Sequence, residues 1–463
     1  MIYDKKNYNT NDTIIALSTN IIQSSIAVIR LSGNKSINIV NKIFKDCDLN
    51  SLNTYSIKYG KIMYNNMILD DVILSLFKNP TSYTGEDIIE ISCHASYYIT
   101  NTIIKMCLEM GARMANPGEF TMRAFLNGKM DLSQAESIAD IIASESAKSH
   151  YIAINQLKGN ISKKIQFLRK KLINLSSIIE LNIDFSEENI QINDNYINSQ
   201  IKDIYKDIEE LLNSFSLGNS IKNGIKISII GKPNVGKSTL INSIINEECS
   251  IVSEIPGTTR DCVKADIIID GMKYIFMDTA GIRQTNDFIE IKGINKTYDI
   301  ISKSDIILYL FDPSKDTASN IKKEIENLKI NNKSKIIILA NKLDCYDIKK
   351  LKKKYSSIKN IIYISAKKYI NIDVLKNVII KNLQLDHFNY INDNIITNMR
   401  HYESLKKANF NLKNINRLIK LDNNEDLIAY EINEAIYHLG SIMGLVYTDD
   451  KLDHIFKNFC IGK

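Results

Sequence analysis

Hydrophobic positions divide this chain into stretches of different period. Up to about Phe120 the apolar residues fall in short alternating runs broken by Gly, Pro, Asn and Asp, the signature of strands and turns. From near Asp131 almost to Ser216 they recur every three or four positions, which predicts long amphipathic helices. Gly218 and Gly224 punctuate the next change. Between Gly224 and Leu385 strand-sized apolar runs alternate with helical patterns, as in a doubly wound parallel sheet, and helical character returns from Met399 to the end. Helices on both sides of an α/β unit point to its insertion into a helical domain whose halves pack together; two separate helical linkers are the plainer alternative. The expected boundaries are 1–121, 122–220, 221–385 and 386–463.

Length and composition narrow the class. A chain of 463 residues has room for two or three domains with sizeable cores. No apolar run exceeds strand length, and no charged segment followed by an apolar stretch opens the chain, so neither a membrane span nor a secretory signal is expected and the protein is read as cytoplasmic. The seven cysteines are scattered without a Cys-x-x-Cys pair, which argues against a disulfide framework or structural zinc. A net charge of +6 permits RNA contact without demonstrating it.

Three motifs in order carry specific chemistry. Gly231-Lys232-Pro233-Asn234-Val235-Gly236-Lys237-Ser238 lies between a strand-like run, 225–230, and a helix-like one starting at Ser238 and Thr239. Its glycines let backbone N–H groups approach phosphate oxygens, Lys237 supplies positive charge to the outer phosphates, and Ser238 offers a hydroxyl to Mg²⁺. Asp278-Thr279-Ala280-Gly281 ends a second strand, so Asp278 can meet Mg²⁺ through water and the Gly281 N–H the terminal phosphate. Asn341-Lys342-Leu343-Asp344 ends a third strand; an aspartate there accepts both N–H donors of the guanine edge, the ring N1–H and the 2-amino group, which adenine lacks, with Ser365-Ala366-Lys367 supporting the base. Together they predict GTP with Mg²⁺.

The segment Gly257-Thr258-Thr259-Arg260-Asp261 is the expected switch, with Thr259 completing the Mg²⁺ shell. After Gly281 stands Ile282, which cannot polarise water, so hydrolysis needs help from elsewhere. Glu290 can orient water and Arg283 can organise the loop; a solvated pair near a helix start is the other reading of these residues.

Three further stretches extend the picture: Pro80-Thr81-Ser82-Tyr83-Thr84-Gly85-Glu86-Asp87, then 117–129 with Asp131-Leu132-Ser133-Gln134-Ala135-Glu136, and the terminal Cys460-Ile461-Gly462-Lys463. With the GTP motifs they make essentially the whole chain resemble the MnmE/TrmE family of tRNA modification GTPases. The resemblance implies a multidomain fold: an α/β tetrahydrofolate-binding and dimerising domain, a helical domain, and a Ras-like P-loop GTPase inserted within it. It implies a one-carbon tetrahydrofolate, of 5-formyl or methylene type, held by Arg30, Glu86, Lys129 and Lys463, and a K⁺ ion held by Asn234, Ser253, Ile255 and Thr258. It assigns water activation to Glu290 and a chemical role, nucleophile or proton donor and acceptor, to Cys460. It further implies a homodimer working with an MnmG/GidA-like partner that carries the FAD, in a heterotetramer or larger. Together they would place a carboxymethylaminomethyl or aminomethyl group on carbon 5 of a tRNA wobble uridine, with glycine or ammonia as amine. One departure stands out: where the family has a glycine-rich segment, this chain reads 19–29 without glycine, so that loop is expected to be stiffer or differently shaped. A GTP-gated binding switch, such as a ribosome-assembly GTPase, is the alternative; it would need neither Cys460 nor the N-terminal motifs.

Overall fold

The computed structural model describes residues 12–19, 24–184, 194–247, 264–278, 301–302, 304–331, 334–382, 394–419, 425–447, 449–457, 459 and 462. The chain divides into two compact units, one of 1–143, 153–212 and 399–463, the other of 144–152 and 213–398.

The first unit opens with a mixed sheet of β1 (Thr13–Leu17), β2 (Ile26–Ser32), β3 (Ser56–Tyr64), β4 (Met67–Phe77), β5 (Ile88–His94) and β6 (Ala112–Met114), in the order β3-β4-β5-β2-β1-β6. All neighbours are antiparallel except β1 and β6. Helices α1 (Ser36–Ile43) and α2 (Tyr97–Glu109) cover one face, burying Ile39, Val40, Ile103 and Met106 with Ile29, Leu31 and Ile91. The strand and turn reading of this region missed both helices. In α2 five of the six residues from Ile99 to Ile104 are β-branched and favour a strand, but Thr100, Ile103, Met106 and Cys107 are buried at helical spacing and tertiary packing decides.

Next come α3 (Glu119–Leu126) and α4 (Leu132–Ala143), then α5 (Ala147–Leu157), of which 153–157 belong to this unit, α6 (Asn160–Asp184), and α7 (Asp194–Asn223), of which 194–212 do. Their apolar stripes explain the bundle: Ile161, Ile165, Leu168, Leu172, Leu175 and Ile179 of α6 are all buried at intervals of three and four. The helices α12 (Met399–Leu418), α13 (Glu425–Met443) and α14 (Asp449–Phe456) complete this unit, α13 packing on both α6 and α12.

The second unit holds β7 (Ile225–Ile230), α8 (Lys237–Glu247), β8 (Lys264–Ile269), β9 (Met272–Asp278), β10 (Ile306–Phe311), α9 (Ala318–Asn331), β11 (Lys335–Ala340), α10 (Ile348–Lys354), β12 (Ile361–Tyr363) and α11 (Ile372–Asn382). The sheet order is β12-β11-β10-β7-β9-β8, parallel except for the β8–β9 hairpin. The β10 strand is buried along its full length, as a central parallel strand must be. This is the doubly wound α/β unit that the alternating pattern predicts. Among the described residues no helix is long and apolar enough to cross a membrane.

Candidate functional site

The phosphate-loop sequence leaves the end of β7 and enters α8 at Lys237. Its shape depends on residues that tolerate close approach. A Cβ on Gly231 would sit 2.1 Å from the Leu310 carbonyl oxygen, and one on Gly236, at φ +98°, would sit 2.4 Å from Asn341 Nδ2. Asn234 is left-handed at φ 61°, a conformation asparagine adopts at low cost. Lys237 Nζ donates to the carbonyls of Gly231 and Lys232 at 2.7 and 3.1 Å.

The base-recognition loop follows β11 and is tied to the phosphate loop by one side chain. Asn341, 3% exposed, donates from Nδ2 to the Val235 carbonyl (2.8 Å) and accepts from the Ala366 N–H at Oδ1 (3.0 Å). It thereby joins three separate motifs. Asp344 Oδ1 accepts from Ser365 Oγ at 2.5 Å, and that hydrogen bond leads in holding the Asp344 carboxyl below the ordinary aspartate range. Asn234, Gly236, Lys237, Ser238, Thr239, Asn341, Lys342, Asp344, Ser365 and Lys367 all face one cavity of about 950 Å³. Val235 is buried beside it and Ala366 contributes its backbone.

A helix N-terminus, a loop whose glycines admit no side chain, and a carboxylate oriented by a serine suit phosphates at one end and a guanine edge at the other. The donor set fits a nucleotide with a bound cation. Of the expected Mg²⁺ and K⁺ ligands, Ser238 and Asn234 lie in this cavity. Asp278 is described by its backbone alone, as the last residue of β9. The expected Ser253, Ile255, Thr258, Thr259, Thr279, Ala280, Gly281, Arg283 and Glu290 lie outside the described residues.

A second group of predicted residues converges in the first unit. Arg30 on β2 donates through Nε to Glu90 of the neighbouring β5 at 2.8 Å and through NH1 to the Gly462 carbonyl at 3.0 Å. Its guanidinium carbon lies 5.9 Å from the Tyr83 ring centre and 5.7 Å from that of Phe120. Lys129 donates to the Pro80 carbonyl at 2.9 Å, and with Glu90, Tyr83, Tyr55 and Phe77 it lines a cavity of about 450 Å³. Gly462 thus reaches the sheet at Arg30; Cys460 and Lys463 lie outside the described residues, as do Asn20 to Gln23 of the glycine-free loop.

Glu86 points elsewhere than its sequence neighbours suggest. It accepts from Ser32 Oγ at 2.6 Å and from Arg123 NH1 at 3.1 and 3.3 Å. Arg123, 1% exposed on α3, also pairs with Asp12 (2.5 Å) and Glu119 (3.0 Å), and Arg113 bonds both of those carboxylates. Burial disfavours charge on Glu119, but Arg113, the Asn116 N–H and Arg123 more than offset it, so its carboxyl stays below the ordinary range. Sequence reading missed Arg123 and Glu90 as structural partners of the candidate site. The available signal was weak: Arg123 stands among apolar residues of α3, four positions after Glu119, where an unpaired buried cation would be costly.

Comparison with known proteins supplies the family. A model described as the MnmE helical domain matches residues 132–460, and one described as the GTP-binding protein TrmE N-terminus matches residues 13–129. The tRNA modification GTPase MnmE of Cytophaga hutchinsonii is 42% identical over 458 residues, covering 98% of each chain, and that of Flavobacterium johnsoniae 44% identical over 466 residues, covering 98% of this chain and 99% of its own. Era in complex with MgGDPNP and a 16S ribosomal RNA fragment is 30% identical over 34% of this chain and 55% of its own, with a TM-score of 0.27, a superposition too partial to carry an argument. Nucleotide cavity, N-terminal sheet and helical bundle fall within one full-length likeness, and the chain belongs to the MnmE/TrmE family of tRNA modification GTPases.

Proposed function

We propose that this GTPase, as a homodimer working with an FAD-carrying MnmG/GidA-like protein, installs an aminomethyl-type group, carboxymethylaminomethyl where glycine is the amine, at carbon 5 of tRNA wobble uridines. As a member of its family it binds GTP and Mg²⁺ and acts on tRNA. In the proposed cycle Lys237 and the α8 N-terminus would hold the phosphates, and Ser238, Thr259 and Asp278 would hold the Mg²⁺, which supplies positive charge at the outer phosphates. Asp344 reads guanine. Thr279, Ala280 and Gly281 follow the terminal phosphate, Glu290 orients the attacking water and Arg283 orders the loop. A K⁺ ion on Asn234, Ser253, Ile255 and Thr258 would neutralise charge developing between the phosphates, the task of an arginine finger elsewhere.

A one-carbon tetrahydrofolate in the first unit would supply or position the carbon unit. Arg30, Lys129 and Lys463 suit its carboxylates and Glu86 its pterin donors. The observation that best supports this reading is the Arg30–Gly462 hydrogen bond, which holds Gly462 against the sheet that carries Arg30. Cys460, two residues earlier, is the proposed chemical group.

The test is mass spectrometry of wobble uridines in tRNA from a host lacking its own family member, complemented with the wild-type chain or Cys460→Ser. Restoration by wild type alone, with GTP hydrolysis intact in both, is the expected result. If the variant restores the modification, Cys460 has no chemical role. If neither does while GTP is hydrolysed and the host's partner binds, a GTP-gated switch explains the chain better.

A further inference from the structure

Two buried carboxylates beside the nucleotide cavity belong to none of its recognised motifs. Asp312 and Asp316 lie on the loop between β10 and α9, each with a side chain 2% exposed. Asp316 accepts from Lys232 Nζ, the second residue of the phosphate loop. Asp312 Oδ2 accepts from Lys342 Nζ, in the base-recognition loop, at 2.7 Å.

The loop carrying them is itself held. Asp312 Oδ1 accepts from the Ser314 N–H and hydroxyl at 3.0 and 2.8 Å. The Tyr355 hydroxyl donates to the Asp316 carbonyl at 2.7 Å with the Pro313 carbonyl 3.1 Å away, and Lys354 Nζ donates to Pro313 at 2.6 Å. Tyr355 is fully buried, its ring edge-on to Phe311 at 5.2 Å.

This asymmetry decides what each pair does. Lys232 and Lys342 have side chains 43% and 37% exposed, and pairs between two exposed partners contribute little. Here one partner is a carboxylate that cannot turn to water, so losing its lysine would leave a buried charge uncompensated. The carboxylates therefore fix the lysines. Lys232 in turn presents its carbonyl to Lys237 Nζ at 3.1 Å, which links Asp316 by two contacts to the cation expected at the phosphates.

We propose that Asp312 and Asp316 are positioning residues for the guanine nucleotide: one rigid loop that holds the phosphate loop through Lys232 and the base-recognition loop through Lys342 at a fixed separation. The device preorganises both ends of the cavity before nucleotide arrives, so it acts on affinity and not on the hydrolytic step.

The test titrates a fluorescent GDP and a fluorescent GTP analogue against the full chain and follows steady-state GTP turnover. Asp312→Asn, Asp316→Asn and Lys232→Met should each raise Kd about tenfold, the lower end for a hydrogen bond to a charged group, with kcat at saturating GTP within about twofold of wild type. Lys232→Met combined with Asp316→Asn should bind no worse than the weaker single variant. Lys232→Arg should recover wild-type affinity. Unchanged Kd in the single variants overturns the proposal, as does a double variant whose loss is the product of the singles. So does a matched fall of kcat and affinity. If a single variant fails to fold, the double variant Lys232→Met with Asp316→Asn, which leaves no buried charge unpaired, is titrated in its place, and wild-type Kd there overturns the proposal.

Discussion

Glu136→Gln is predicted to destabilise the helical bundle in a pH-dependent way. Glu136, on α4, accepts from Arg400 Nε and NH2 at 2.8 Å each, and His401 Nε2 lies 2.8 Å from the same carboxylate. Arg400 also donates to the Ser441 and Ile442 carbonyls at 2.6 and 2.9 Å. The cluster joins α4, the first turn of α12 and the end of α13, and α12 begins immediately after Asn398, where the second unit ends. Burial alone would raise the Glu136 pKa, but His401 and Arg400 outweigh it and bring it from the ordinary 4.5 to about 2. A carboxyl depressed in the folded state contributes stability above its unfolded value, and that contribution disappears as pH falls from about 5 towards 2. At about 1.4 kcal/mol per pH unit it amounts to about 3 kcal/mol near neutrality. Glutamine keeps the shape and loses the charge, so at pH 7 the variant should be about 3 kcal/mol less stable; the difference should be about 1 kcal/mol smaller at pH 4. The chain has no tryptophan, so urea unfolding is best followed by far-ultraviolet circular dichroism. A gap below about 1 kcal/mol at pH 7, or one unchanged at pH 4, would refute the assignment of the stabilisation to this carboxylate.

Three other substitutions probe the rest of the frame. Asn341→Asp places an acceptor against the Val235 carbonyl while keeping the Ala366 bond; GDP affinity measured by titration should fall at least about tenfold, and an unchanged Kd would remove Asn341 as the link between motifs. Arg123→Met strips Glu86 of its cation and leaves Asp12 and Glu119 to Arg113, so urea denaturation should show a loss of about 3–5 kcal/mol; less than about 1 would mean the carboxylates relax to water. Gly462→Ala forces a left-handed residue, φ +93°, and brings a Cβ to 2.9 Å from the Leu17 carbonyl oxygen. In complemented cells it should reduce wobble-uridine modification while the purified protein hydrolyses GTP normally, and full modification would show that the terminal segment need not dock there.

What sequence reveals here follows from how local the signal is. The phosphate loop, the two strand-end motifs and the alternation that builds β7, α8, β10 and β11 are all encoded within a few residues, and the fold class of that unit follows from them; the family follows only when the longer motifs at 80–87, 117–136 and 460–463 are added. The Asp312–Lys342 and Asp316–Lys232 pairs were not legible, because the partners are 30 and 84 positions apart and each looks like an ordinary surface ion pair. Glu136 and Arg400 are 264 positions apart, with the second unit between them in sequence. The α2 helix was hidden for the opposite reason: its local signal, β-branched residues in a row, points the wrong way, and only packing against the sheet corrects it.

Glu86 shows how the two kinds of information combine. Motif matching makes it an expected folate contact, yet its carboxylate already bonds Arg123 and Ser32. These need not conflict, since a carboxylate has about four acceptor positions and the described partners leave part of that capacity open. Arg123, almost wholly buried and fixed by Asp12 and Glu119, cannot follow a ligand outward, and it holds Glu86 in one orientation. For the proposed folate site this means that the recognising carboxylate is placed by groups that never touch the ligand. Substitution at Arg123 should then weaken folate binding as strongly as substitution at Glu86 itself, and a folded Arg123 variant with wild-type folate affinity would separate the two roles.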